Sequence, residues 1–88
     1  MERINVIFRL RPKMRLKNSQ LKVEEVLRKY NIPFKYNTTN TDMYGTREMY
    51  YFIEVAQIHR YMEYRERIDN ELIMTFHNSY IPRIYKER

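Results

Sequence analysis

An α+β fold of order βαββαβ, a four-stranded antiparallel sheet with two helices on one face, is predicted by three observations. Hydrophobic residues alternate near the start, at Ile4, Val6, Phe8 and Leu10. They then recur at helical spacing, at Val23, Val26, Leu27 and Tyr30. A third segment, Glu48 to Val55, is dense in aromatic and β-branched residues and reads as strand. At 88 residues the chain makes a single domain, 1–88, with a small core.

Each element has its own signature. Residues 3–11 form a strand with Ile4, Val6, Phe8 and Leu10 on the buried face and Asn5, Ile7, Arg9 and Arg11 on the other. Pro12 cannot donate to a ladder, so the strand ends there or lies at an edge. The first helix, Ser19 to Tyr30, takes Asn18 or Ser19 as its cap. Glu24–Arg28 and Glu25–Lys29 are i,i+4 pairs in the favourable orientation. Asn31-Ile32-Pro33 stops the helix. Ile32, Phe34 and Tyr36 suggest a short second strand, and Asn37 to Asp42 is polar and turn-like. Beyond Ala56 two parses compete. One makes 57–68 a helix and 72–76 a strand. The other makes 57–64 a strand, 66–78 a helix, and Tyr80 to Tyr85 the last strand. Both arrive at a ferredoxin-like sandwich.

Charge carries the functional signal. The chain has 17 basic and 11 acidic residues, a net charge of +6 and a pI near 9.7, which favours an anionic partner. Arg9, Arg11, Lys13, Arg15 and Lys17 occupy every second position. An extended chain would put them on one side, about 6.6 Å apart, an array of cations that a phosphate backbone attracts. Pro12 divides this ladder, leaving Arg9 and Arg11 on the strand and Lys13, Arg15 and Lys17 on a loop. Nine tyrosines and four phenylalanines add rings on which bases can stack, beside their ordinary work in core and sheet packing.

Other chemistries have no support. There is no cysteine, hence no disulfide framework or thiolate metal site, and no apolar run approaches the length of a membrane span. The basic opening overlaps with a mitochondrial transit composition, but the alternation from Ile4 to Leu10 favours a folded strand. No phosphate-binding glycine loop, HExxH or EF-hand pattern occurs. His59 and His77 lie far apart, Asp42 and Asp69 lack an acidic partner, and Ser19 is a cap rather than a nucleophile. No enzyme, metal or cofactor is expected.

The opening MERINVIFRLRP resembles that of the bacterial-type small-subunit ribosomal protein six family, through Arg3, the Val6-Phe8-Leu10 face and the closing Pro12. The segment Gly45-Thr46-Arg47-Glu48-Met49-Tyr50-Tyr51 is similar to the family's Gly-x-Arg-x-Leu-Ala-Tyr in its second strand, with Gly45, Arg47 and Tyr51 matching. Ile68-Asp69-Asn70-Glu71-Leu72 through Thr75-Phe76 resembles the family's second helix, and Ile81, Arg83 and Lys86 fall where its basic last strand would lie. Phe52 replaces the usual Pro after the Tyr, the stretch from Gly45 to Ile68 is short, and Ala56-Gln57 is poor hairpin chemistry.

The resemblance implies the ferredoxin-like fold with 57–64 as strand and 66–78 as helix. It also implies a structural role in the small ribosomal subunit, binding its rRNA beside small-subunit ribosomal protein eighteen, without catalysis or cofactor. The expected RNA-binding residues are Arg3, Arg9, Arg11, Lys13, Arg15, Lys17, Arg47, Arg83, Lys86 and Arg88. Tyr51 is a candidate for stacking or partner contact, against plain sheet packing. A composition rich in Ile, Tyr and Asn suits an organellar, mitochondrial ribosome, with the bacterial cytoplasm as the other setting. The alternatives are a small viral or plasmid nucleic-acid-binding protein and a protein-binding or inhibitor module of the same fold.

Overall fold

The computed structural model describes residues 3–11, 16–77, 80–81 and 86–87. Its elements are strand β1 (Arg3–Leu10), helix α1 (Leu16–Lys29), strands β2 (Lys35–Thr41) and β3 (Arg47–Glu54), a single 3-10 turn (Val55–Gln57) and helix α2 (Ile58–Phe76). Two short ladders follow, β4 (Tyr80–Ile81) and β5 (Lys86–Glu87). The fold is α+β, an antiparallel sheet with two helices. β3 lies between β2 and β1, pairing with β1 from Arg3↔Glu54 to Leu10↔Arg47 and with β2 from Lys35↔Phe52 to Thr41↔Arg47. Along the other edge of β1, β4 pairs with Arg9 and Leu10 while β5 pairs with Asn5 and Val6. Of the last strand expected over Tyr80 to Tyr85, Tyr80 and Ile81 are strand, and residues 82–85 lie outside the described residues.

One face of the sheet makes the core. Ile4, Val6, Phe8 and Leu10 from β1, and Met49, Tyr51 and Ile53 from β3, are buried in a cluster with Val23, Val26 and Leu27 of α1. Ile58, Tyr61, Ile68, Leu72 and Phe76 of α2 complete it. Phe8 meets both Tyr51 and Tyr61 edge-on, at 5.8 and 6.3 Å between ring centroids. Such pairs add to area burial because a ring's positive edge points at a negative face. Tyr51 also donates its hydroxyl to Glu24 Oε2 of α1 at 3.1 Å, so both helices cover this same face.

Several expectations need correction. α1 starts at Leu16, so Asn18 and Ser19 lie inside the helix rather than at its cap, and Ser19 is buried. Its C-terminus behaves as the sequence suggested. Asn31 adopts a φ of 57°, its N–H donates to Arg28 O at 3.0 Å, and that of Ile32 donates to Leu27 O at 3.0 Å. This is a Schellman closure, with Asn tolerating the left-handed position and Ile32 packing inward. Of the two helical pairs, Glu24–Arg28 forms at 3.3 Å, whereas Lys29 reaches across to Glu71 of α2 and Glu25 takes Lys22 at 3.7 Å.

The polar stretch after Tyr36 is strand, not turn. Among the described residues β2 pairs only with β3, most of its residues are exposed, and threonines serve there as well as apolar residues. The turn comes later. Asp42 Oδ1 accepts from the N–H groups of Tyr44 (2.8 Å) and Thr46 (3.0 Å), and Gly45 supplies a φ of 85°. Beyond β3, each parse holds only in its helix, the first over 58–68 and the second over 66–76. Residues 57–64 are not strand, nor are 72–76; one helix runs from Ile58 to Phe76. Its buried residues fall at spacings of three, seven, four and four, a single helical stripe. Met62 and Tyr64 lie off that stripe. Met62 is exposed, and Tyr64 packs on Tyr30 with centroids 5.2 Å apart.

Candidate nucleic-acid interface

The sheet face away from the helices is the candidate site. A strand sends successive side chains to opposite faces, so register decides membership. β1 contributes Arg3, Asn5, Ile7 and Arg9, opposite Glu54, Phe52, Tyr50 and Glu48 of β3. β2 contributes Lys35, opposite Phe52. A bulge between Tyr36 and Thr38 releases Asn37, whose Nδ2 donates to Asn5 Oδ1 at 3.1 Å across β3. Ile7 is buried on this face, whereas Tyr50 and Phe52 are half-buried, with ring surface remaining to solvent.

Charges frame these rings. The Arg3 guanidinium lies 5.0 Å from the Phe52 ring centroid, a cation–π contact. Arg9 Nε, itself buried, sits 3.2 Å from Glu48 Oε2 without the alignment of a hydrogen bond, so this pair is held by charge alone. Lys35 and Arg11 are exposed. At one end of the face, where β1 begins and β3 ends, a cleft of about 350 Å³ opens between Phe34, Phe52, Arg3, Lys35, Glu54 and Gln57.

The expected site residues separate. Arg3, Arg9 and Arg11 lie on or next to the open face as β1 alternation required. Lys17 belongs to the first turn of α1 rather than to a loop, so the ladder of alternate cations does not extend along one strand. Arg47 opens β3 at a helix-side register position, opposite Leu10 and Thr41. Lys86 pairs with Val6 in the β5 ladder. Lys13, Arg15, Arg83 and Arg88 lie outside the described residues.

Tyr51 is not a stacking residue. It is fully buried on the helix side, its ring set against Phe8, Phe34 and Tyr36. Burial, together with the neighbouring Glu24 carboxylate, holds its hydroxyl far above the ordinary range. On this face the rings with surface left to solvent are its sequence neighbours Tyr50 and Phe52, with Lys35 beside them. The signal for them was present, because alternation over Met49, Tyr51 and Ile53 sends the intervening aromatics outward.

The residues named earlier as unlikely catalysts have structural work. Asp42 organises the β2–β3 turn, and Asp69 accepts the Tyr80 hydroxyl at 2.6 Å. Among the described residues no three His, Cys, Asp or Glu side chains group to hold a metal ion, and no helix is long and apolar enough to cross a membrane. Compared with family models, curated proteins and solved structures, the chain matches none.

Proposed function

We propose that this chain binds single-stranded nucleic acid across the open face of its sheet. The observation that carries the reading is Tyr50 and Phe52, two residues apart on an inner strand and half-buried on the face opposite the helices. Arg3 and Arg9 lie cross-strand from that row and Lys35 flanks it. Aromatic rings in a sheet accept unpaired bases by stacking, and cations along the rows take the phosphates. Asn5 and Asn37 satisfy one another yet keep further donors and acceptors for base edges. A net charge of +6 complements the ligand.

We also read the fold as ferredoxin-like. The element order and the sheet order β2-β3-β1-β4 support it, with β4 and β5 together as the fourth strand. The narrower proposal, a ribosomal protein bound to small-subunit rRNA beside protein eighteen in an organellar or bacterial ribosome, draws support from Arg3 to Pro12 and from α1. It loses the support it needed from 57–64, which is helix, and from Gly45 to Tyr51, which leads into the third strand rather than the second.

The general reading is tested by fluorescence anisotropy with labelled 12-nucleotide RNA and DNA single strands and the corresponding duplexes. Single strands should bind more tightly than duplexes at low salt, and comparing RNA with DNA assigns the sugar. Equal affinity for duplex and single strand overturns it. Co-sedimentation with small ribosomal subunits tests the narrower form, which fails if the protein stays at the top of the gradient.

A further inference from the structure

We infer that the cleft at the end of the open face holds one nucleotide of that strand, and that Glu54 makes it prefer guanine. The inference rests on the nucleic-acid reading and assigns it a base-selective subsite. The cleft, about 350 Å³, falls within the range of small-ligand pockets. Its lining combines what a nucleotide presents. Phe52 offers a ring face and Phe34 a second apolar wall. Phe34 is fixed from behind, since its ring meets Tyr51 edge-on at 5.6 Å and Arg28 lies 5.3 Å from its centroid. Arg3 is exposed and already lies over Phe52. A base taking the ring face displaces it, and its planar guanidinium then covers the base or grips the phosphate. Lys35, exposed at the rim, supplies a second charge for the phosphate.

Selectivity comes from Glu54 and Gln57. Glu54 ends β3, and the 3-10 turn that follows brings Gln57 to the same rim. Glu54 lines the cleft and is exposed, and among the described residues no ion pair joins it to its cross-strand neighbour Arg3, which leaves its carboxylate able to meet a ligand there. An ionised carboxylate only accepts. Guanine offers two adjacent donors on its pairing edge, the ring N1–H and the 2-amino group, which match both oxygens. Uracil offers one ring N–H between two carbonyl oxygens, which a carboxylate repels.

The test is amide NMR on the full chain, titrated with 5′-GMP and 5′-UMP, and with the strands UUGUU and UUUUU. GMP should shift the amides of Phe52, Glu54 and Gln57 at about tenfold lower concentration than UMP, the scale of one good bidentate base contact. UUGUU should outcompete UUUUU by a similar factor. Glu54→Gln, its fold checked by the same spectrum, should level the two nucleotides. Equal response to GMP and UMP in the wild type overturns the inference, as does a preference for guanine that survives Glu54→Gln. If both strands bind alike, the subsite falls and the nucleic-acid reading stands. If GMP shifts the cleft but neither strand binds, the strand reading falls and the nucleotide site stands. No response to any of the four overturns both.

Discussion

Three consecutive aromatics, Tyr50, Tyr51 and Phe52, face alternately away from and into the core, so neighbouring substitutions should separate stability from binding. Tyr51→Phe keeps the buried ring and its edge contacts to Phe8, Phe34 and Tyr36 at 5.8, 5.6 and 5.5 Å. It removes only the hydroxyl donated to Glu24 Oε2 at 3.1 Å. A hydrogen bond to a charged group contributes about 1.5–3 kcal/mol. Glu24 keeps Arg28 at 3.3 Å and a side chain 19% exposed, so its carboxylate is not stranded and the cost falls at the low end. About 1–2 kcal/mol lowers the Tm of a domain this size by roughly 4–16 °C. RNA affinity should not change. Phe52→Leu is the converse. It loses the cation–π contact to Arg3, about 0.5–1 kcal/mol at an exposed site. It also loses one stacking plane, about 1–3 kcal/mol of binding or roughly 5- to 150-fold in Kd. Thermal melts and anisotropy with a 12-nucleotide RNA read both quantities on the same samples. If Tyr51→Phe weakens binding as much as Phe52→Leu while its Tm stays put, the register and the interface are both wrong.

Two carboxylates on α2 should titrate with opposite signs. Burial pushes the Asp69 carboxyl above its ordinary 3.8, against the Tyr80 hydroxyl and Arg65, so its contribution to stability is present below that value and lost as pH rises through the raised one. The hydrogen bond from Lys29 holds Glu71 below its ordinary 4.5, so its contribution is present above that value and lost as pH falls through the lowered one. Urea midpoints between pH 3 and 7 should therefore gain from Asp69→Asn mainly at the neutral end and lose from Glu71→Gln mainly there; effects of the same sign would contradict the assignment. Gly45→Ala should cost about 1 kcal/mol, because φ is 85° at the Asp42-organised turn, and a melt unchanged from the wild type would refute that.

What the sequence disclosed follows from how strongly each residue's environment constrains it. β1 is central enough to need strict alternation, and Ile4 to Leu10 show it. The end of α1 needs a left-handed residue, and Asn31 is there. β2 needs little, because an edge strand with a solvated side tolerates Thr and Asn, so its polar residues read as a turn. α2 carries exposed Met62, Ile73 and Met74 beside its buried stripe, and those extra apolar residues imitate strand alternation over 57–64 and 72–76. Within the candidate site, the cations of β1 were legible because register fixed them. Tyr51 was singled out through a matched motif, although alternation with Met49 and Ile53 already turned Tyr50 and Phe52 to the opposite face, and the pairing of β3 with β1 identifies that face as the open one.

The break in the cation ladder turns a question of composition into one of slope. If all ten expected cations tracked phosphates, log Kd would rise with log salt at about 0.7 per contact for a single strand, near 7 in total. On or next to the open face the described cations are Arg3, Arg9, Arg11 and Lys35, of which Arg9 is already paired with Glu48. The other three contacts give a slope of about 2. Stacking on Tyr50 and Phe52 depends little on salt, so much of the affinity should persist at 0.3 M. Anisotropy across 50 to 300 mM salt measures this directly. A slope near 2 that Phe52→Leu leaves unaltered, while it weakens binding at every salt, assigns the affinity to rings assisted by a few cations. A slope near 7 would return the function to the basic sequence segments 12–17 and 82–88 and reduce Tyr50 and Phe52 to packing.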